Sequence, residues 1–162
     1  MTNFNSFHGT ITMIHDLITG QNGEGCYKVI SAKNELGTVV NFVVSPTTYI
    51  VDHVMLAVGD RITGYYDANA PAPLIFPPQY QALVIVKDSP SQQTVKVSYF
   101  NSQLVSKDGE LRLNISPYTQ IVLTNGLSFS SNPANRNLIV IYGLSTQSIP
   151  AQTTPNKIIV MC

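Results

Sequence analysis

Residues 45–51 read SPTTYIV and residues 116–122 read SPYTQIV. The offset is 71 positions, and Ser45, Pro46, Thr48, Ile50 and Val51 recur as Ser116, Pro117, Thr119, Ile121 and Val122. Farther along, Tyr65, Pro73 and Pro78 recur as Tyr142, Pro150 and Pro155 at an offset of 77. A constant offset, one short insertion and a second constant offset predict an internal duplication. The expected domains are 1–88 and 94–162, each within the size range of a small domain. Residues 89–93 join them, inside a polar stretch, SPSQQT, that has no apolar periodicity. Domains this small are marginal alone, so the two halves are expected to shield each other through a shared apolar surface.

Charge is scarce. Asp, Glu, Lys and Arg make up 11% of the 162 residues, against about 25% in an ordinary soluble domain. Asn, Gln, Ser and Thr supply 50 residues, and the formal net charge is zero. With no surplus of cations to neutralise a phosphate backbone, a nucleic-acid partner is disfavoured. Low net charge also removes self-repulsion, which suits a chain that meets copies of itself. The N-terminal stretch MTNFNSFHGTITMI lacks the basic and apolar segments of a secretory signal, and no run approaches the roughly 18 apolar residues of a membrane span. The expected compartment is cytoplasmic. Cys26 and Cys162 read as two free thiols or as one bridge between the halves.

Short runs of β-branched and aromatic residues alternate with turn residues, and helical signals are almost absent. Strands are expected near 7–15, 26–33, 38–44, 47–54, 61–67 and 80–87. In the second half they fall near 95–100, 102–106, 110–115, 118–124, 137–143 and 157–162. Lys107-Asp108-Gly109 and Asn34-Glu35-Leu36-Gly37 mark hairpins at equivalent places, with Asn22-Gly23 and Asn125-Gly126 as further turns. ALVIV, LIVIY and IIVMC are apolar at consecutive positions, which predicts burial on both faces. Ile50, Val51, Val54, Met55 and Val58 lie at helical spacing. The second copy continues as TNGLSFSSNPANRN, which holds no helix, so a strand and a one-turn connector over MLAVGD are preferred.

Five or six short strands in each half resemble a small closed barrel of the oligonucleotide/oligosaccharide-binding (OB) type. LAVGDRITGYYD is similar to the turn and fourth strand of such barrels: Gly59-Asp60 makes the turn and Gly64 relieves crowding at a bend. The resemblance implies an all-β chain of two tandem OB-like barrels. NAPAPLIFPPQY, residues 69–80, also resembles a stretch in a group of small bacterial proteins of uncharacterised activity, and it implies no function.

The proline-rich loop over 67–80 is the leading candidate surface. Pro71, Pro73, Pro77 and Pro78 stiffen the backbone and remove four amide donors. They present Leu74, Ile75 and Phe76, with Tyr80, Tyr65 and Tyr66 close by. Stiff apolar loops bind at low entropic cost. The competing reading is a lid on its own barrel. Tyr27, Phe42, Tyr49, Tyr65, Tyr66 and Tyr80 read alternatively as a stacking platform for single-stranded nucleic acid or a glycan, although few basic residues accompany them. His8, His15, His53, Cys26 and Asp52 have no metal-ligand spacing. The second half contains no histidine, and no nucleophile, base and orienting group form a pattern. The expectation is a non-catalytic structural or protein-interaction module, without cofactor or metal, whose partner is protein and most simply itself.

Overall fold

A computed structural model describes residues 1–18 and 25–162. The expected Asn22-Gly23 turn lies outside the described residues. Among the described residues strand accounts for 47%, and none is in an α-helix. The strands, in chain order, are β1 Phe4–Asp16, β2 Lys28–Lys33, β3 Val39–Val44, β4 Tyr49–Ile50, β5 Arg61–Asp67, β6 Gln79–Gln81 and β7 Val84–Lys87. They continue as β8 Thr94–Phe100, β9 Leu111–Leu113, β10 Gln120–Leu123, β11 Arg136–Tyr142, β12 Ala151–Thr153 and β13 Lys157–Met161. Among the described residues one 3-10 turn covers Val51–His53, inside the stretch where strand is preferred over a helix at Ile50 to Val58. Ala151–Thr153, which lies between the strands expected at 137–143 and 157–162, forms β12.

The repeated motif makes the same turn twice. Ser45 O accepts from Thr48 N–H (3.1 Å), and Ser116 O accepts from Thr119 N–H (3.1 Å). Proline at the second position suits this turn, since its ring presets φ and its missing N–H is not needed there. The threonine then reaches out. Thr48 Oγ1 donates to Ala82 O and Thr119 Oγ1 donates to Pro155 O, each at 2.8 Å. Both bonds tie the turn to the segment that enters a later strand, so β4 lies parallel to β7 and β10 parallel to β13.

Contacts divide the described chain into two compact units, Asn5–Asp88 and Met1–Phe4 with Ser89–Cys162. The first holds a sheet in the order β4-β7-β5-β1-β2-β3-β6. Its core is Ile11, Ile30, Ala32, Val40, Phe42, Ile62, Ala82 and Ile85. The second holds the sheet β10-β13-β11-β8 and the pair β12-β9. Its core gathers Phe100, Leu111, Leu113, Leu138, Val140, Ile158 and Val160. The chain start is pinned in this second unit, where Thr2 N–H donates to Asn137 Oδ1 (3.3 Å) and Asn137 Nδ2 donates to Thr2 Oγ1 (2.9 Å). As the unbroken apolar runs predicted, Val84 and Ile85, Leu138 to Ile141, and Ile158 to Val160 are buried at consecutive positions. Successive strand residues face opposite ways, so both faces of these strands are covered, at roughly 1.5–3 kcal/mol of stabilisation per side chain.

The tandem OB-like barrels expected from the resemblance are corrected by this strand course. The chain coils as a β-solenoid of about three turns built from mixed sheets. Turn markers in the sequence pointed to antiparallel neighbours closing on themselves. The Asn34–Gly37 marker does join the antiparallel strands β2 and β3, but β3–β6, β4–β7, β9–β12 and β10–β13 are parallel pairs. Parallel partners need long connections. Those of β3–β6 and β9–β12 include the proline-bearing excursions after β5 and β11, and the Thr48 and Thr119 bonds fasten β4–β7 and β10–β13. The sequence repeat survives as repeated turn chemistry and does not support a duplicated pair of barrels.

Candidate functional site

Two features of the Asn5–Asp88 unit are candidates: the proline-rich loop and a polar cleft. The loop leaves β5 through a turn in which Asp67 Oδ1 accepts from Asn69 N–H (3.0 Å) and Asp67 O accepts from Ala70 N–H (3.1 Å). It returns as β6, laid parallel on β3 with Phe42 opposite Tyr80. Asn41 N–H donates to Pro78 O at 2.9 Å, so the last proline of the loop contributes its carbonyl to the sheet. The Phe76-Pro77 peptide is cis.

The base of the loop is aromatic. Tyr66 and Tyr80 stack face to face, centroids 3.9 Å apart and rings within 4° of parallel. Tyr66 also leans on Phe42 (6.3 Å), which touches Phe7 (6.5 Å). Phe42 fits because residue 64 is glycine: a Cβ there would lie 2.5 Å from the Phe42 ring. Burial, then the neighbouring Tyr80, pushes the Tyr66 hydroxyl up to about 12, so Tyr66 stays neutral at ordinary pH.

The tip faces water. Leu74 and Phe76 are fully exposed and Ile75 is 52% exposed. The expected site residues thus divide. Leu74, Ile75 and Phe76 share the tip, and Tyr66 and Tyr80 clamp its base. Tyr65 follows the alternation of β5 and faces the other way from Tyr66, paired in the ladder with Val84. Four of the six aromatics expected to form a platform are occupied in other ways. Phe42 is fully buried, Tyr66 and Tyr80 cover each other, and Tyr49 meets His53 edge-on at 5.4 Å.

The cleft is built on β1, where His8, Thr10 and Thr12 alternate along one face and line its floor. Lys33, Asn34, Glu35 and Leu36 from the β2–β3 hairpin form one wall, and Arg61 of β5 forms the other, enclosing about 590 Å³. Asn34 shapes the hairpin, since its Oδ1 accepts from Leu36 N–H (3.0 Å) and Thr38 N–H (2.9 Å). His8 Nε2 meets Asp88 Oδ2 at 2.9 Å, while Arg61 lies 3.6 Å from Glu35 and 3.8 Å from Asp88. Sequence reasoning missed this group. Sequence reasoning reads His8 as a candidate metal ligand and the basic residues as too few for a nucleic-acid groove. The usable signal was the His-x-Thr-x-Thr alternation at 8–12 beside a hairpin bearing Lys33.

Among the described residues, no three His, Cys, Asp or Glu side chains gather where they could hold a metal ion. Cys26 and Cys162 are exposed and unbridged. Asp60, inside the expected turn, is held below the usual carboxylate range by the Ala57 N–H it accepts and by Lys87. No helix among the described residues is long and apolar enough to cross a membrane. The chain matches no known protein family and no curated protein sequence.

Proposed function

We propose that this chain is a non-catalytic interaction module that self-associates through the 67–80 loop. One observation supports the reading: Leu74, Ile75 and Phe76 stand in water on a loop held by four prolines and the Tyr66–Tyr80 stack. Three adjacent apolar side chains in solvent cost free energy that only contact recovers. Their stiff frame leaves little conformational entropy to lose when contact forms. A near-neutral chain puts no electrostatic barrier between copies.

The test is sedimentation velocity across a concentration series, on the wild-type chain and on a variant with Leu74→Ser, Ile75→Ser and Phe76→Ser. The expected result is concentration-dependent association of the wild type and a monomeric variant with unchanged circular dichroism. A wild type that stays monomeric throughout, or a variant that associates equally, overturns the reading.

A further inference from the structure

We propose that the cleft between the β2–β3 hairpin and Arg61 binds a small phosphorylated ligand of sugar-phosphate size. This is independent of the self-association reading.

The lining is rich in hydrogen-bond donors. Lys33 makes no ion pair among the described residues, and Arg61 makes only the two long contacts to Glu35 and Asp88, beyond hydrogen-bond length. The Lys33 ammonium is therefore available, and the Arg61 guanidinium, which Glu35 and Asp88 approach only at Nη2 and Nε, keeps further N–H groups to offer. Asn34 spends its side-chain oxygen on Leu36 and Thr38, which leaves its NH2 as a donor, and Thr10 adds a hydroxyl. Lys33 and Arg61 stand on the strands flanking β1, so their backbones are roughly 10 Å apart, two strand spacings. Both side chains are long enough to reach one group above the floor.

A phosphate monoester fits this arrangement better than a carboxylate. It presents three terminal oxygens in a tetrahedron and so accepts from both walls and the floor, whereas a carboxylate presents two in one plane. The volume of about 590 Å³ exceeds what a bare phosphate fills and is of small-ligand size. The Thr10, Thr12 and His8 floor suits hydroxyl groups on the remainder.

Glu35 supplies a counter-charge to Arg61 when the cleft is empty. Its carboxylate lies 3.6 Å from Arg61, and its side chain is 89% exposed. It occupies the place of the ligand's anion loosely enough to swing out. It therefore competes with the ligand, and removing its charge should improve binding.

The experiment is an amide chemical-shift titration of the full chain in about 0.15 M salt, with inorganic phosphate, ribose 5-phosphate and ribose as probes. Ribose 5-phosphate is expected to give saturable shifts at Gly9, Thr10, Lys33 and Asn34, to bind more tightly than inorganic phosphate, and to leave ribose without effect. Lys33→Met and Arg61→Met should each weaken binding about tenfold. Glu35→Gln should strengthen it a few-fold, and Lys107→Met, in the other unit, should change nothing. Lys33→Met and Glu35→Gln alter an exposed hairpin and keep the test open if Arg61→Met fails to fold. Absent saturation, or an affinity indifferent to Lys33→Met and Glu35→Gln, overturns the proposal.

Discussion

The loop over 67–78 and the loop over 143–150 follow the same path by different means. Each leaves a long strand, β5 or β11, and returns as a three-residue strand laid parallel on a neighbour, β3 or β9. Each shows apolar side chains to water: Leu74 and Phe76 in one, Leu144 and Ile149 in the other. The first is held by four prolines and a tyrosine stack over Phe42. The second is held by hydroxyl groups. Gln152 N–H donates to Thr146 Oγ1 (2.8 Å), Ser148 Oγ to Pro150 O (2.8 Å) and Thr153 Oγ1 to Leu144 O (2.6 Å). Removing backbone donors and satisfying backbone acceptors with side chains are two routes to one end, a loop whose polar groups are accounted for.

The comparison breaks first at Phe42. Phe42→Ala removes the ring beneath the tyrosine stack and should cost about 3–5 kcal/mol in urea unfolding. In limited proteolysis it should loosen the first loop and spare the second. Equal loosening of both would mean that they share a support. Next, Thr153→Val strips the buried hydroxyl that caps Leu144 O and should cost about 1–3 kcal/mol. Exchange of the Thr146 and Gln152 amides reads whether the second loop opens with it.

Tyr80→Leu is smaller, about 0.5–1.5 kcal/mol for the lost stack, and it carries a pH signature. Folded Tyr66 holds its proton to about 12, above the ordinary 10.0. Its contribution to stability is complete below pH about 10 and is lost as pH rises to about 12, because the unfolded chain gives up the proton first. In Tyr80→Leu this alkaline loss should shrink, as followed by phenolate absorbance and unfolding midpoints. Tyr142, at the start of the second loop, is likewise raised, by burial and then by Asp108 against the opposing Lys96. Its alkaline behaviour should not respond to Tyr80→Leu. The smallest effect is at Pro73. Pro73→Ala should cost about 0.4–1 kcal/mol through the freer unfolded chain, and a slightly faster cleavage of the first loop measures it.

The strand positions were legible where β-branched runs met turn residues, as in KVISAK, RITGYYD and RNLIVIY. So were the interior strands, because Val84-Ile85 and Ile158-Ile159 announced burial on both faces. The exposed tip of the first loop was named from its prolines. The β2–β3 pair was legible from its hairpin marker at Asn34 to Gly37, but the parallel partners were not. β12 was missed because Ala151–Thr153 has no strong strand propensity and exists through its pairing with Leu111–Leu113. The cleft was missed because His8, Lys33 and Arg61 are far apart in sequence and meet only when β1 lies between β2 and β5.

By itself the sequence determined the local grammar: an all-β chain, its turns at Ser45-Pro46 and Ser116-Pro117, and which segments must be buried. Those follow from side-chain volume, branching and the fixed φ of proline, properties that each residue carries wherever it stands. Tertiary structure alone decided that Thr48 reaches Ala82 and Thr119 reaches Pro155, that the pairs they fasten are parallel, and that the chain advances as a solenoid rather than closing as barrels. Strand pairing is a contest among many backbone partners of nearly equal intrinsic strength, and only the packing of the assembled chain breaks the tie.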